Sequence, residues 1–355
     1  MISNLADKLA CYMSEATAIK TGRLGLDNAA KNRKYFSKTV DDLSVIEHLE
    51  PKGAAIVVVG GPSLHRKNPV AKILASGFSG DIIVADGSLG HCLRKGLIPH
   101  FVITLDPGAF GRSHRMVRLF GDTKMDKGLE DDYFLRQDLD PGHHQDQIRY
   151  NRETIELVNR YGPKIKLIIS TSVDISVTER CVESGMELYW WNPIYEDYDK
   201  SESLSRELFE NNHIPCMLTG GNVGTAAWIF AHAILKRKHV ALVGMDLSYA
   251  PGTPLLNTQY YRDLVALFGD RTPEAFTQVY NPYLNETWYT DPAYLWYRNI
   301  FLDLAKDAGC ITYNCTEGGI LFDELVHFVP LTEFLSKFSQ RNNQELVGSR
   351  VGERE

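Results

Sequence analysis

Short, nearly continuous apolar runs alternate along this chain with longer stretches of helical spacing. Ala54–Val59, Ile82–Ala85, Phe101–Leu105, Lys166–Ser170, Glu187–Trp191, Val240–Val243 and Ile311–Tyr313 read as strands. Runs that lack polar alternation suit strands covered on both faces, as in a parallel sheet. Helical spacing lies between them, at Asn68–Ser76, Leu89–Lys95, Ile175–Ser184, Val223–Leu235 and Ala293–Ala308. The alternation predicts an α/β fold: a Rossmann-like, mostly parallel, doubly wound sheet.

The flanks read differently. Residues 1–50 carry helical periodicity at Leu5, Leu9, Tyr12 and Met13 and again at Leu43, Ile46 and Leu49, which predicts a helical N-terminal lead-in. The α/β body is expected over 51–330. Within it, 111–160 is polar and irregular, with Glu130-Asp131-Asp132 and His143-His144, and is expected to be an insertion or mobile flap. A C-terminal helix and a frayed tail are expected over 331–355.

Ligands of open parallel sheets bind outside the carboxyl ends of the strands. Here those ends are rich in small, hydroxylic and acidic residues. The first strand runs into Gly60-Gly61-Pro62-Ser63, the second into Asp86-Gly87-Ser88 and the third into Asp106-Pro107-Gly108. Later ends carry Ser170-Thr171-Ser172, Trp191-Asn192-Pro193, Gly244-Met245-Asp246 and Asn314-Cys315-Thr316-Glu317-Gly318-Gly319. Glycine lets backbone approach a ligand closely, and turn N–H groups attract phosphate. The first loop matches neither G-x-G-x-x-G nor G-x-x-x-x-G-K-[ST], so a plain strand-to-helix turn stays open beside a phosphate site. Gly220-Gly221-Asn222, before an apolar helix, is either a helix cap or a second anion or sugar contact. Asp86, Asp106 and Asp246 are turn caps, Mg²⁺ or ribose contacts, or a general base. His91, His100 and His114 lack metal-ligand spacing. The aromatic group Trp288-Tyr289, Tyr294 and Trp296-Tyr297 is either core or a stacking platform.

Bulk properties narrow the class. The chain has 355 residues, 44% of them hydrophobic, and a net charge of −7, which argues against a nucleic-acid binder. No apolar run approaches the ~20 residues a membrane span needs. Six scattered cysteines without a C-x-x-C pair fit free thiols in a reducing cytoplasm, and cytoplasmic localisation is the expectation.

Together, Val59-Gly60-Gly61-Pro62-Ser63-Leu64, Asp86-Gly87-Ser88, Ile103-Thr104-Leu105-Asp106-Pro107, Gly220-Gly221-Asn222-Val223 and Tyr313 to Gly319 carry a resemblance. Over about residues 50–325 the chain resembles the domain family of archaeal 6-hydroxymethylpterin diphosphokinase and the bacterial motility accessory factors, which glycosylate flagellin with nonulosonic acids. It is also similar, more distantly, to bacterial lipooligosaccharide sialyltransferases, which use CMP-sialic acid. The resemblance implies that Gly60, Gly61, Pro62, Ser63 and Asp86 contact the nucleotide, that Asp106 sits near the donor, and that Gly221 and Asn222 face phosphate and sugar. Gly87, Ser88, Gly220, Asn314 and Thr316 complete the expected donor pocket. Two departures stand out. The sialyltransferases place a histidine base shortly before a Thr-Asp pair, whereas Glu286-Thr287-Trp288-Tyr289 precedes Thr290-Asp291 here. They also carry asparagine where Asp86 and Asp106 stand.

The expected function is transfer from a nucleotide-activated donor of the CMP-nonulosonate type to a glycan, flagellin or small-molecule acceptor. Asp106, Asp246 or Glu317 would take the acceptor's proton. An alternative is an ATP-dependent 6-hydroxymethylpterin diphosphokinase, with Mg²⁺ on Asp86 and Asp106. A non-catalytic nucleotide-binding accessory protein is the third reading.

Overall fold

The apolar runs become strands whose successive residues feed two separate cores. In β1 (Ala54–Val58), Ala54, Ile56 and Val58 join one core, while Ala55 and Val57 join the other. The same split recurs in β2 (Asp81–Ala85), β3 (Phe101–Thr104), β4 (Lys166–Ser170), β5 (Glu187–Ile194) and β7 (His239–Val243). This period of two, apolar on both sides, is what a sheet sandwiched between helices requires. The structure is a computed structural model and describes residues 21–45, 53–108, 113–124 and 151–339.

With β6 (Cys216–Leu218), β10 (Ile311–Asn314) and β11 (Val326–Phe328), these strands form one nine-stranded sheet in the order β11-β10-β7-β1-β2-β3-β4-β5-β6. Every pairing in it is parallel. The doubly wound, Rossmann-like expectation therefore holds. One face is covered by helices that include Pro69–Ser76, Leu89–Arg94, Ile175–Glu183 and Leu331–Phe338. The other is covered by Val223–Ile229, which continues as a wider turn over Phe230–Ile234, and by Pro292–Ala305.

Three features depart from the sequence reading. β6 and β11 span three residues each, too few for a periodic signal. A hairpin of β8 (Thr277–Asn281) and β9 (Glu286–Thr290) stands apart from the main sheet, between β7 and β10, and its polar composition hides it. Finally, the stretch 111–160 is described at its two ends, and there it is helical and packed. Met116, Val117 and Phe120 of the first end and Val158 of the helix Asn151–Tyr161 are buried in the core. Its middle, like residues 1–20 and 340–355, lies outside the described residues.

Residues 21–32 are helical, and this segment is bonded to the sheet rather than merely adjacent. Asn28 Nδ2 donates to the carbonyls of Pro107 (3.1 Å) and Ser172 (2.8 Å). Asn32 Nδ2 donates to Thr171 O (3.1 Å) and Val173 O (2.8 Å), and Asn32 Oδ1 accepts from Thr178 Oγ1 (2.9 Å). Farther on, Thr39 bridges to Trp190, whose N–H donates to Lys38 O at 2.9 Å. Asn32 is fully buried, so Asn32→Ala strands two carbonyls and a hydroxyl. Chemical denaturation should show a loss of about 2–4 kcal/mol.

Candidate functional site

Strand order reverses direction at β1, which has β2 on one side and β7 on the other. The chains leaving β1 and β7 must part there, and the crevice between them is where open α/β sheets take their ligands. Parallel pairing persists past the strand ends, with Val59 N donating to Val243 O (2.9 Å) and Gly61 N to Gly244 O (2.7 Å). Ser63 then ties the two loops together: its N–H donates to Asp246 Oδ2 at 3.2 Å and its Oγ to Asp246 Oδ1 at 2.5 Å.

The junction leaves no room for side chains. A Cβ on Gly61 would lie 2.2 Å from Asp246 Oδ2 and 2.4 Å from Gly244 O. A Cβ on Gly318 would lie 2.0 Å from Ser63 Oγ and 2.7 Å from Asp246 Oδ1. Glycine at these positions is thus demanded by the protein's own packing. The N–H groups of Gly61 and Ser63 are likewise given to internal acceptors, so the loop presents bare backbone at Gly60 and Gly61 rather than an open row of donors. Pro62 and Ser63 are buried beneath it.

Asp246 is 1% exposed, and burial pushes its carboxyl up to about 7 against the opposing effect of the Ser63 bonds and the Arg66 charge. The loop after β10 completes the junction. Asn314 Oδ1 accepts from Thr316 N (2.9 Å), and Thr316 Oγ1 accepts from Met245 N (3.1 Å). Both residues are buried, and both hold the loop. Glu317 faces the other way, accepting from Lys72 Nζ (2.9 Å) and Leu331 N (3.2 Å), which staples two helices to the loop.

At the ends of β2 and β3, Asp86 accepts from Thr104 Oγ1 and from Gly87 N, each at 2.7 Å. Burial pushes its carboxyl up to about 6, and the nearby Asp106 charge adds to the rise. Asp106 is half-buried, and its Oδ1 accepts from Gly108 N at 2.8 Å. Ser88 is buried, whereas Gly87 is half-exposed and a Cβ there would meet nothing within 4 Å among the described residues. Among the described residues, the place that a Gly87 side chain would take is open. Among the described residues no group of three or more His, Cys, Asp or Glu is placed to hold a metal ion, so a Mg²⁺ reading rests on Asp86 and Asp106 alone.

The second glycine turn comes alongside. Gly224 abuts the Val59 methyl groups, which a Cβ would meet at 3.1 Å. Asn222 is the helix cap: its Oδ1 accepts from Thr225 N and its Nδ2 donates to Thr225 Oγ1, both at 2.9 Å. Gly220 is buried, while Gly221 and Asn222 are half-buried. The excursion between β7 and β10 is clasped to the body by Tyr249, whose hydroxyl donates to Asp291 Oδ2 at 2.5 Å. Asp291 also caps the Pro292–Ala305 helix by accepting from Tyr294 N (2.9 Å), and burial pushes its carboxyl up to about 6.

The predicted site residues therefore fall into two groups. Gly60, Gly61, Gly87, Asp106, Gly221, Asn222 and Glu317 are half-buried; Pro62, Ser63, Asp86, Ser88, Gly220, Asp246, Asn314 and Thr316 are buried. Thr104, Lys72, Asn28 and Tyr249 were not read from the sequence. Only Asp291 had a local signal, an acidic residue before proline at a helix start.

Two measurements probe the frame. Gly318→Ala should cost about 1–3 kcal/mol of stability, because neither Ser63 nor Asp246 has slack to move aside. Burial makes Asp86, Asp246 and Asp291 all weaker acids in the fold than in the unfolded chain. The folded protein holds those protons more tightly than the unfolded chain, whose aspartates titrate near about 4, so stability falls as pH rises from about 4 to about 7 and levels off above. Asp246→Asn should flatten the fall of melting temperature between pH 5 and pH 8 relative to the native protein.

No family model matches the sequence, and no curated protein matches it. Among solved structures, the chain is similar to the MAf glycosyltransferase from Magnetospirillum magneticum AMB-1, with a TM-score of 0.46, 16% identity, and coverage of 85% of this chain and 37% of that one. The chain thus spans little more than a third of that protein's length, and a likeness of this degree carries no argument about activity.

Proposed function

We propose that the chain is a transferase that moves a sugar from a nucleotide-activated donor, of the CMP-nonulosonate glycosyltransferase type. The supporting observation is the convergence at the switch point. A glycine loop made rigid by Ser63 and Asp246 opens beside the room above Gly87, the half-buried Asp106 and the Gly221-Asn222 turn. The donor's phosphate would lie on the bare backbone of Gly60 and Gly61, facing the start of the Val223–Ile229 helix.

The roles divide by where each carboxylate sits: Asp106 is half-buried, whereas Asp246 is buried. Ser63 holds both oxygens of Asp246, and Lys72 with Leu331 holds Glu317. Asp106 is assigned the acceptor's proton. Asp246 is a positioning residue for the glycine loop, and Glu317 is a staple. The leaving nucleotide would carry its developing charge against fixed backbone dipoles, which need no reorganisation during the reaction.

Calorimetry with CMP, followed by turnover of a CMP-nonulosonate, tests this reading. CMP should bind, and Gly87→Leu should abolish that binding with little change in stability, since its side chain enters space left open among the described residues. Asp106→Asn should lower kcat by at least about 100-fold, as expected for loss of a general base, with CMP affinity unchanged within about threefold. Binding of ATP only, and only with Mg²⁺, together with loss of activity in Asp86→Asn, would point to the diphosphokinase instead. Nucleotide binding that survives every carboxylate change without turnover would point to an accessory protein.

A further inference from the structure

The helix Pro292–Ala305 buries Pro292, Ala293, Phe301 and Leu302, yet its first two turns also carry Tyr294, Trp296 and Tyr297, all half-buried. These rings are gathered over the second glycine turn. Gly221 has φ +80°, and a Cβ there would lie 2.8 Å from Trp296 Cζ3 and 2.9 Å from Tyr297 Cδ1. The ring centroids of Trp296 and Tyr297 are 5.2 Å apart, and those of Tyr294 and Tyr297 are 6.2 Å apart. Tyr260, from the excursion between β7 and β10, joins them, with its hydroxyl 3.4 Å from that of Tyr297. Four half-buried aromatic residues from two segments therefore gather at this place.

We propose that Trp296 and Tyr297 form a platform for the saturated ring of a sugar, beside the phosphate end of the crevice. This deepens the glycosyltransferase reading and rests on it. Three observations support a sugar over a nucleobase. The rings are mutually tilted, by 46° for Trp296–Tyr297 and 54° for Tyr294–Tyr297, so they form a cup rather than a slot of parallel faces. A flat base stacks best between or upon parallel faces, whereas a puckered pyranose offers C–H groups to a cup. Phenol hydroxyls of Tyr260 and Tyr297 stand at its border, where sugar hydroxyls would need partners. Lastly, the turn under the platform adjoins Val59 through Gly224, so the cup lies next to the residues that lead into Gly60 and Gly61. A sugar attached to a phosphate on that loop would fall within reach of it.

The test measures sugar and nucleotide separately. Saturation-transfer NMR with free N-acetylneuraminic acid, and calorimetry with CMP, are run on the native protein, Trp296→Ala and Trp296→Phe. Trp296→Ala should weaken sugar binding about three- to tenfold, the size of a lost aromatic contact, and leave CMP affinity unchanged within about twofold. Trp296→Phe, which keeps a ring, should restore most of the sugar affinity and guards against a folding defect in the alanine variant. Equal loss of CMP affinity in Trp296→Ala would overturn the proposal in favour of base stacking. Sugar binding that is absent from the native protein, or unchanged in both variants, would leave the rings a packing role only. Native protein that binds CMP while the sugar arm fails overturns the platform alone. Native protein that binds the sugar through Trp296 but no CMP overturns the nucleotide-donor reading alone.

Discussion

Everything at the crevice hangs on one buried contact, the two hydrogen bonds from Ser63 to the carboxylate of Asp246. β1 and β7 run side by side, and beyond their ends the chain must diverge to opposite faces of the sheet. Without a tie the glycine loop would be free to take many conformations, because glycine resists none of them. The Ser63–Asp246 contact removes that freedom, and Gly318 closes over it from the third strand end. Flexible residue types thus produce an inflexible wall. The arrangement also explains why the carboxylate is tolerated in a buried site: it is held by an N–H and a hydroxyl at once, which offsets part of the cost of desolvation.

The acidic residues of the crevice differ in task because they differ in surroundings. Asp246 and Asp86 are buried and fastened, so their chemistry is directed inward, to loop geometry. Asp106 lies two residues past its strand and is half-buried, with its Oδ1 accepting from Gly108 N. A similar division applies to the aromatics. Trp288 is sealed in the core beneath Gly318, while Trp296 and Tyr297, eight and nine residues later, lie against the Gly221 turn.

Seven of the strands and their parallel sense were legible because burial on both faces writes itself as an unbroken apolar run, as in Ala54 to Val58. Glycine at the strand ends marked close backbone approach for a comparable reason: few other residues fit where backbones nearly touch. What stayed hidden was long-range. Nothing near Asn28 in sequence announces that it binds the carbonyls of Pro107 and Ser172, 79 and 144 residues away. Nor does Glu317 reveal that Lys72 will claim it rather than a substrate. Residue type identified which positions could do chemistry, but the partner of each decides whether it does. The hairpin β8–β9 was missed because its mostly polar strands carry a single apolar cross-strand pair into the core, Val279 opposite Trp288, too short for a periodic signal.

The bridge from Thr39 to Trp190 has a meaning beyond the fold. β6 pairs with β5 only from Asn192 onward, so the earlier part of β5 would otherwise present an open strand edge rich in Tyr189, Trp190 and Trp191. Unpaired edges of that kind recruit strands from neighbouring molecules. Lys38 and Thr39 occupy the place an intruding chain would take, with a charged side chain beside the seal. The lead-in therefore protects the protein's colloidal behaviour as well as its stability, and trimming it back to the α/β body would yield a stickier molecule before it yielded an unfolded one.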